Sequence, residues 1–151
     1  MPDEISLAIN ITGCPNRCLG CHSPHLREDI GDPLDIDTLK KIISIYENDL
    51  TCVAFMGGDA NPSAVACLAY WVKNTYPCLK TCWYTGRTAA ELLAEDILSA
   101  DTAYQYFDYV KAGPFKPEFD PLDKETTNQR MYSITDCEWR DVTYKFWRGK
   151  V

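Results

Sequence analysis

The chain has 151 residues, 46% apolar and 25% charged, with 22 acidic against 15 basic side chains and a formal net charge of −7. That is the profile of one globular domain, richer in apolar residues than a disordered chain. The acid excess speaks against a nucleic-acid binder held by phosphate contacts and against a protein held to an anionic membrane by charge, and no apolar run approaches the roughly 20 residues of a membrane helix.

Asp3 and Glu4 stand where a leader would carry basic residues, so the expected compartment is the cytosol. In that reducing setting, eight cysteines predict metal ligation, redox chemistry or core packing, not four disulfides. No internal repeat and no linker divides the chain.

Residues 5–11 (ISLAINI) are short, apolar and β-branched, a predicted strand. Residues 12–33 follow with three cysteines and three prolines, a long loop of the kind that usually carries function. Asp35 or Asp37 caps a helix whose Leu39, Ile42, Ile43 and Tyr46 fall at i, i+3, i+4 and i+7. Cys52–Met56 reads as a buried strand running into Gly57-Gly58. Asn61-Pro62 reads as N-cap and first helical residue, with Val65, Leu68, Ala69 and Val72 turned inward. Residues 81–85 (TCWYT) form a third strand, stopped by Gly86. Thr88 and Glu91 make a capping box that opens a helix carrying Leu92, Leu93 and Ile97. A fourth strand is predicted over 107–110, a proline-held loop after it, a late strand over 130–134, and an aromatic tail over 142–147 as strand or packed coil.

Strand and helix alternate, which predicts a parallel α/β sheet covered by helices. Ligands in such folds sit at the carboxyl ends of the strands. The cysteine loop, Gly57-Gly58-Asp59 and Thr85-Gly86 each follow a strand, so all three are expected on one rim.

The loop reads Gly13-Cys14-Pro15-Asn16-Arg17-Cys18-Leu19-Gly20-Cys21-His22. Cys14, Cys18 and Cys21 have C-x3-C-x2-C spacing, tight enough for one loop to wrap one metal centre through thiolates. Two centres suit the spacing. Zinc would need a fourth ligand, for which His25 is available. A [4Fe–4S] cluster normally takes four cysteines, so three would leave one iron open.

C-x3-C-x2-C after a first strand resembles the radical S-adenosylmethionine (radical SAM) enzymes. In that family the three cysteines hold a [4Fe–4S] cluster, and the fourth iron chelates the amino and carboxylate groups of S-adenosylmethionine. The family often has an aromatic residue before the last cysteine; here it is Gly20. Glycine there, followed by Cys-His, resembles the subgroup that activates anaerobic ribonucleoside-triphosphate reductase. Gly57-Gly58-Asp59 resembles the Gly-Gly-acid segment that contacts the methionyl amino group, though the proline comes at Pro62 rather than directly after. Trp83-Tyr84-Thr85-Gly86, Asp108 to Phe115 and Asn128-Gln129-Arg130 resemble further segments of the subgroup, with Lys111-Ala112-Gly113 where many members have Asp-Gly. The likeness runs from about residue 5 to residue 134.

The resemblance implies a shortened, partial parallel β/α barrel of the radical SAM type, one domain over 1–151, with residues 12–33 as the cluster-binding loop and a tail over roughly 135–151. It implies a [4Fe–4S] cluster on Cys14, Cys18 and Cys21, and S-adenosylmethionine beside Gly20, Cys21, His22, Gly57, Gly58, Asp59, Thr85, Lys111 and Asn128. Lys111 would pair with the ligand's carboxylate. The implied activity is formation of a glycyl radical on the large subunit of the reductase, with a flavodoxin-like electron donor. Neither nucleic acid nor membrane is an expected partner. A formate-lyase type activase and a non-enzymatic Cys3His zinc module are the other readings. Of the remaining cysteines, Cys52, Cys67 and Cys82 are expected in the core, Cys78 and Cys82 are four apart, and Cys137 has no partner in view. Trp139, Phe146 and Trp147 read as a packed tail.

Overall fold

The computed structural model describes residues 1–99 and 101–147. One mixed sheet runs in the order β1 (Ser6–Asn10), β2 (Cys52–Met56), β3 (Lys80–Tyr84), β4 (Tyr109–Ala112), β5 (Arg130–Thr135) and β6 (Glu138–Asp141). The first four strands are parallel, and β5 and β6 return antiparallel. Helices α1 (Ile36–Tyr46), α2 (Pro62–Thr75) and α3 (Ala89–Ala94) lie in the connections between the parallel strands. Among the described residues the ladder runs from β1 to β6 without closing. Among the described residues, no helix is long and apolar enough to cross a membrane.

The helices begin where side chains supply acceptors for their free N–H groups. Asp35 accepts from the Thr38 amide at 2.8 Å, and Asn61 accepts from the Ala64 amide at 3.2 Å. Thr88 and Glu91 form the reciprocal capping box. α1 buries Leu39 and Ile43 fully, but Tyr46 is exposed, so its inner stripe is narrower than the apolar spacing predicts.

Strand alternation divides the core in two. Val53, Phe55, Trp83 and Val110 face the helices, and Trp83 stacks on Phe107 with centroids 5.5 Å apart. Each such large apolar side chain stabilises the fold by about 1.5–3 kcal/mol on burial. Cys52, Ala54, Cys82 and Met131 face the other way, under Met1, Val142 and Phe146. Burial pushes the Cys52 thiol up to about 11 and the Cys82 thiol well above its usual range.

Three expectations are corrected. The fourth strand begins at Tyr109, because the Phe107 amide still donates to the Ala103 carbonyl, four residues back, and the Asp108 carboxylate is occupied by Lys73 and the Thr81 amide. Cys67 is exposed: α2 turns Val65, Ala69 and Val72 inward, which places Cys67 on the opposite face. The tail opens with β6, and its aromatic end is a 3-10 turn over Thr143–Phe146. Trp139 packs on Tyr132, with centroids 5.6 Å apart.

Register positions the site. Asn10 pairs with Met56, Met56 with Tyr84, and Tyr84 with Lys111. These four residues form one row across the carboxyl ends of the parallel strands.

Candidate functional site

The cysteine loop folds back on itself. The Gly13 amide donates to the Glu28 carbonyl at 3.3 Å, Cys14 to Leu26 at 3.0 Å, and Thr12 Oγ1 to Ile30 at 3.1 Å. At the tip, the Cys21 amide donates to the Cys18 carbonyl, and the Ser23 amide points at Cys21 Sγ at 3.4 Å. Cys14, Cys18 and Cys21 are free, half-buried thiols, and all three line one cavity of about 440 Å³. That volume is in the range of small-molecule sites.

Asp59 ties the loop to the sheet. Its carboxylate accepts from Thr85 Oγ1, from the Gly86 amide at 2.9 Å and from Asn16 Nδ2 at 2.5 Å. Asn16 lies between Cys14 and Cys18, so one buried carboxylate joins the cysteine loop, the end of β2 and the end of β3. The geometry depends on glycine: a Cβ on Gly86 would stand 2.3 Å from Asn16 Nδ2.

Asn10, Met56, Tyr84 and Lys111 form the cavity floor. Lys111 is 9% exposed, and its Nζ donates to the Gly113 carbonyl at 2.7 Å. Burial pushes its ammonium down to about 8, against the opposing pull of the nearby Asp59 and Cys18 charges. Burial also raises the Tyr84 phenol, which therefore stays protonated. The far wall is the segment after β4. Phe115 packs against the His22 ring at 4.6 Å, and Asn128 Nδ2 holds the Pro114 carbonyl at 2.9 Å.

Of the candidate residues, the structure brings Cys14, Cys18, Cys21, His22, Gly57, Asp59, Thr85, Lys111 and Asn128 around this one cavity. Gly20 and Gly58 do not line it. Gly20 turns beside Phe115 and Pro117. Gly58 has φ +89 and lies against Val65, where a Cβ would be 2.4 Å from Val65 Cγ2. Its glycine serves the packing of α2 on the turn rather than approach of a ligand. Asn10 and Asn16 are additional. Asn10 has the fainter signal of a polar residue ending an apolar strand, and Asn16 has none beyond standing between two cysteines.

Three cysteine thiols on one loop are the soft donors that both iron–sulfur clusters and zinc take. Among the described residues, no three His, Cys, Asp or Glu side chains already stand close enough to hold one metal ion. Thiolates on one zinc, with bonds of about 2.3 Å, must stand within about 4 Å of each other. A cluster instead takes each thiolate on its own iron. His25 is exposed and does not line the cavity, so the Cys3His set is not assembled. No fourth cysteine lines it either; Cys52 and Cys82 are buried on the sheet, and Cys67, Cys78 and Cys137 are exposed away from the cavity.

A family model described as a 4Fe-4S single cluster domain matches residues 5–135. That is most of the chain, and the chain belongs to this family. Its iron–sulfur character agrees with the cysteine trio. No curated protein and no solved structure matches.

Proposed function

We propose that this 4Fe-4S domain is a radical SAM activating enzyme on a shortened β/α barrel, which installs a glycyl radical on anaerobic ribonucleoside-triphosphate reductase. The observation that carries the reading is the cysteine trio. Three thiols from one loop, with no fourth beside them, face a cavity floored by Tyr84 and Lys111. Three ligands leave one iron of a [4Fe–4S] cluster for a small molecule.

When bound, the cluster and S-adenosylmethionine would supply one-electron cleavage of the sulfonium and, through it, removal of a hydrogen atom from a glycine. The chain supplies binding and orientation. Cys14, Cys18 and Cys21 would hold the cluster. Lys111, with its ammonium anchored on the Gly113 carbonyl, offers a buried cation for the methionyl carboxylate. Asp59 is fixed by three donors, so its negative charge stands still beside the methionyl ammonium while it braces the loop. The His22–Phe115 pair and Asn128 form the far wall. A flavodoxin-like donor provides the electron.

The experiment is to mix the reconstituted protein with S-adenosylmethionine, a reductant and the reductase, and to record the electron paramagnetic resonance spectrum. The expected result is a glycyl doublet on the reductase and none on a formate-lyase type enzyme. A doublet only on the latter would move the assignment to the other class of activase.

A further inference from the structure

Leu19 lies between Cys18 and Cys21, and 80% of its surface is exposed. It does not line the cavity, whereas Arg17 and Arg27 do. Two exposed arginines stand beside it in the loop. Arg17 has a left-handed backbone, φ +45, and Arg27 Nη2 donates to the Cys18 carbonyl at 2.6 Å. Neither is in an ion pair with a carboxylate among the described residues. In a chain with 22 acidic side chains, two arginines without carboxylates flank one solvated leucine. Glu28 lies at the base of the loop, where its carbonyl meets Gly13.

We infer that the tip formed by Arg17, Leu19 and Arg27 is the docking surface for the electron donor, a small acidic protein that carries a one-electron centre. The inference rests on the reading of Cys14, Cys18 and Cys21 as cluster ligands. Two arguments select this occupant. A net charge of −7 repels an acidic carrier from most of the surface, so a positive tip orients it. A protein resting on Leu19 is also one residue from Cys18 and two from Cys21, with Arg27 hydrogen-bonded to the Cys18 main chain. The protein that receives the radical must instead reach into the cavity; Arg17 and Arg27 stand on that cavity's wall, and Leu19 is the member of the tip that lies outside it. In the transfer, the carrier is oxidised by one electron and the cysteine-held centre is reduced by one; no bond breaks and no proton moves.

The test is anaerobic stopped-flow reduction of the reconstituted protein by flavodoxin hydroquinone, with dithionite as the small-molecule control. Visible absorption comes first: a colourless protein overturns the cluster reading and the docking site with it. With the cluster present, Leu19→Gln should slow reduction by flavodoxin about tenfold and leave the dithionite rate unchanged. Salt should slow the wild-type flavodoxin reaction, and Arg17→Glu should flatten that dependence. An unchanged flavodoxin rate in Leu19→Gln overturns the inference while the cluster reading stands. A loss of equal size with both reductants also overturns it, because the leucine would then serve the loop and not the donor. Loss of reductase binding at an unchanged flavodoxin rate would give the patch to that partner instead.

Discussion

Asn16 reaches Asp59 across 43 positions of the chain, its Nδ2 donating to Asp59 Oδ2 at 2.5 Å. The same carboxylate takes the Thr85 hydroxyl and the Gly86 amide. Removing it orphans three donors next to the cysteine loop. Hydrogen bonds to a charged acceptor contribute about 1.5–3 kcal/mol each, and the losses overlap, so Asp59→Ala should cost about 3 kcal/mol. The loop should also become sensitive to protease between Gly13 and Arg27. Urea melts and limited proteolysis check this; a variant as stable and as resistant as the wild type would show that the tie carries no load.

Gly58 gives a second, independent prediction. Gly58→Ala places a methyl 2.4 Å from Val65 Cγ2 at a backbone with φ +89. Crowding and left-handed strain together should cost about 2–4 kcal/mol. Adding Val65→Ala should recover the crowding share and leave the strain. A double variant no more stable than Gly58→Ala would mean that the contact is not what makes the glycine necessary. Because Gly58 does not line the cavity, the surviving folded fraction should keep its affinity for S-adenosylmethionine.

The local signals explain which parts of this arrangement are visible without coordinates. Asp35, Asn61 and Thr88 mark helix starts because capping is written in a few adjacent residues. The cysteine spacing is visible for the same reason. The β5–β6 hairpin is hidden: β6 is only Glu138–Asp141, three of its four residues charged, and its turn uses Asp136 and Cys137 at positive φ, not glycine or asparagine. The row Asn10–Met56–Tyr84–Lys111 is hidden too. Each residue is ordinary at the end of its own strand, and only the pairing register sets the four side by side. The Asn16–Asp59 contact depends on how a long loop folds back, which no short-range pattern encodes.

Lys111 should set a pH dependence. Burial depresses its ammonium to about 8, below the 10.5 of a solvated lysine. Between those values the unfolded chain holds a proton that the folded chain has shed. Stability should therefore rise with pH from about 8 to about 10.5, with the full burial penalty present below 8. Lys111→Met should be more stable than wild type at pH 7 and should lose that rise. In the reconstituted protein, affinity for S-adenosylmethionine should fall as pH climbs through about 8, because the cation facing the carboxylate discharges. Paired urea titrations and ligand titrations at pH 7 and 9 read both effects; equal slopes in variant and wild type would contradict the assignment.

The cysteines should separate by environment. Iodoacetamide at pH 8 should label Cys67, Cys78 and Cys137, which are exposed. Cys52 and Cys82 should stay unlabelled in the folded protein, because both are buried and burial raises their thiols. Cys14, Cys18 and Cys21 should label in the metal-free protein and become protected on reconstitution with iron and sulfide. Mass spectrometry of the peptides reads each site, and protection of only two of the three loop cysteines would exclude the trio as ligands.

The most direct measurement is 5′-deoxyadenosine formation. The protein is reconstituted anaerobically, reduced and given S-adenosylmethionine, with Cys18→Ala treated in parallel. Radical SAM chemistry predicts a brown protein that releases 5′-deoxyadenosine and methionine, and a variant that releases neither. A wild-type protein that carries its cluster, takes an electron and leaves S-adenosylmethionine intact would contradict the account.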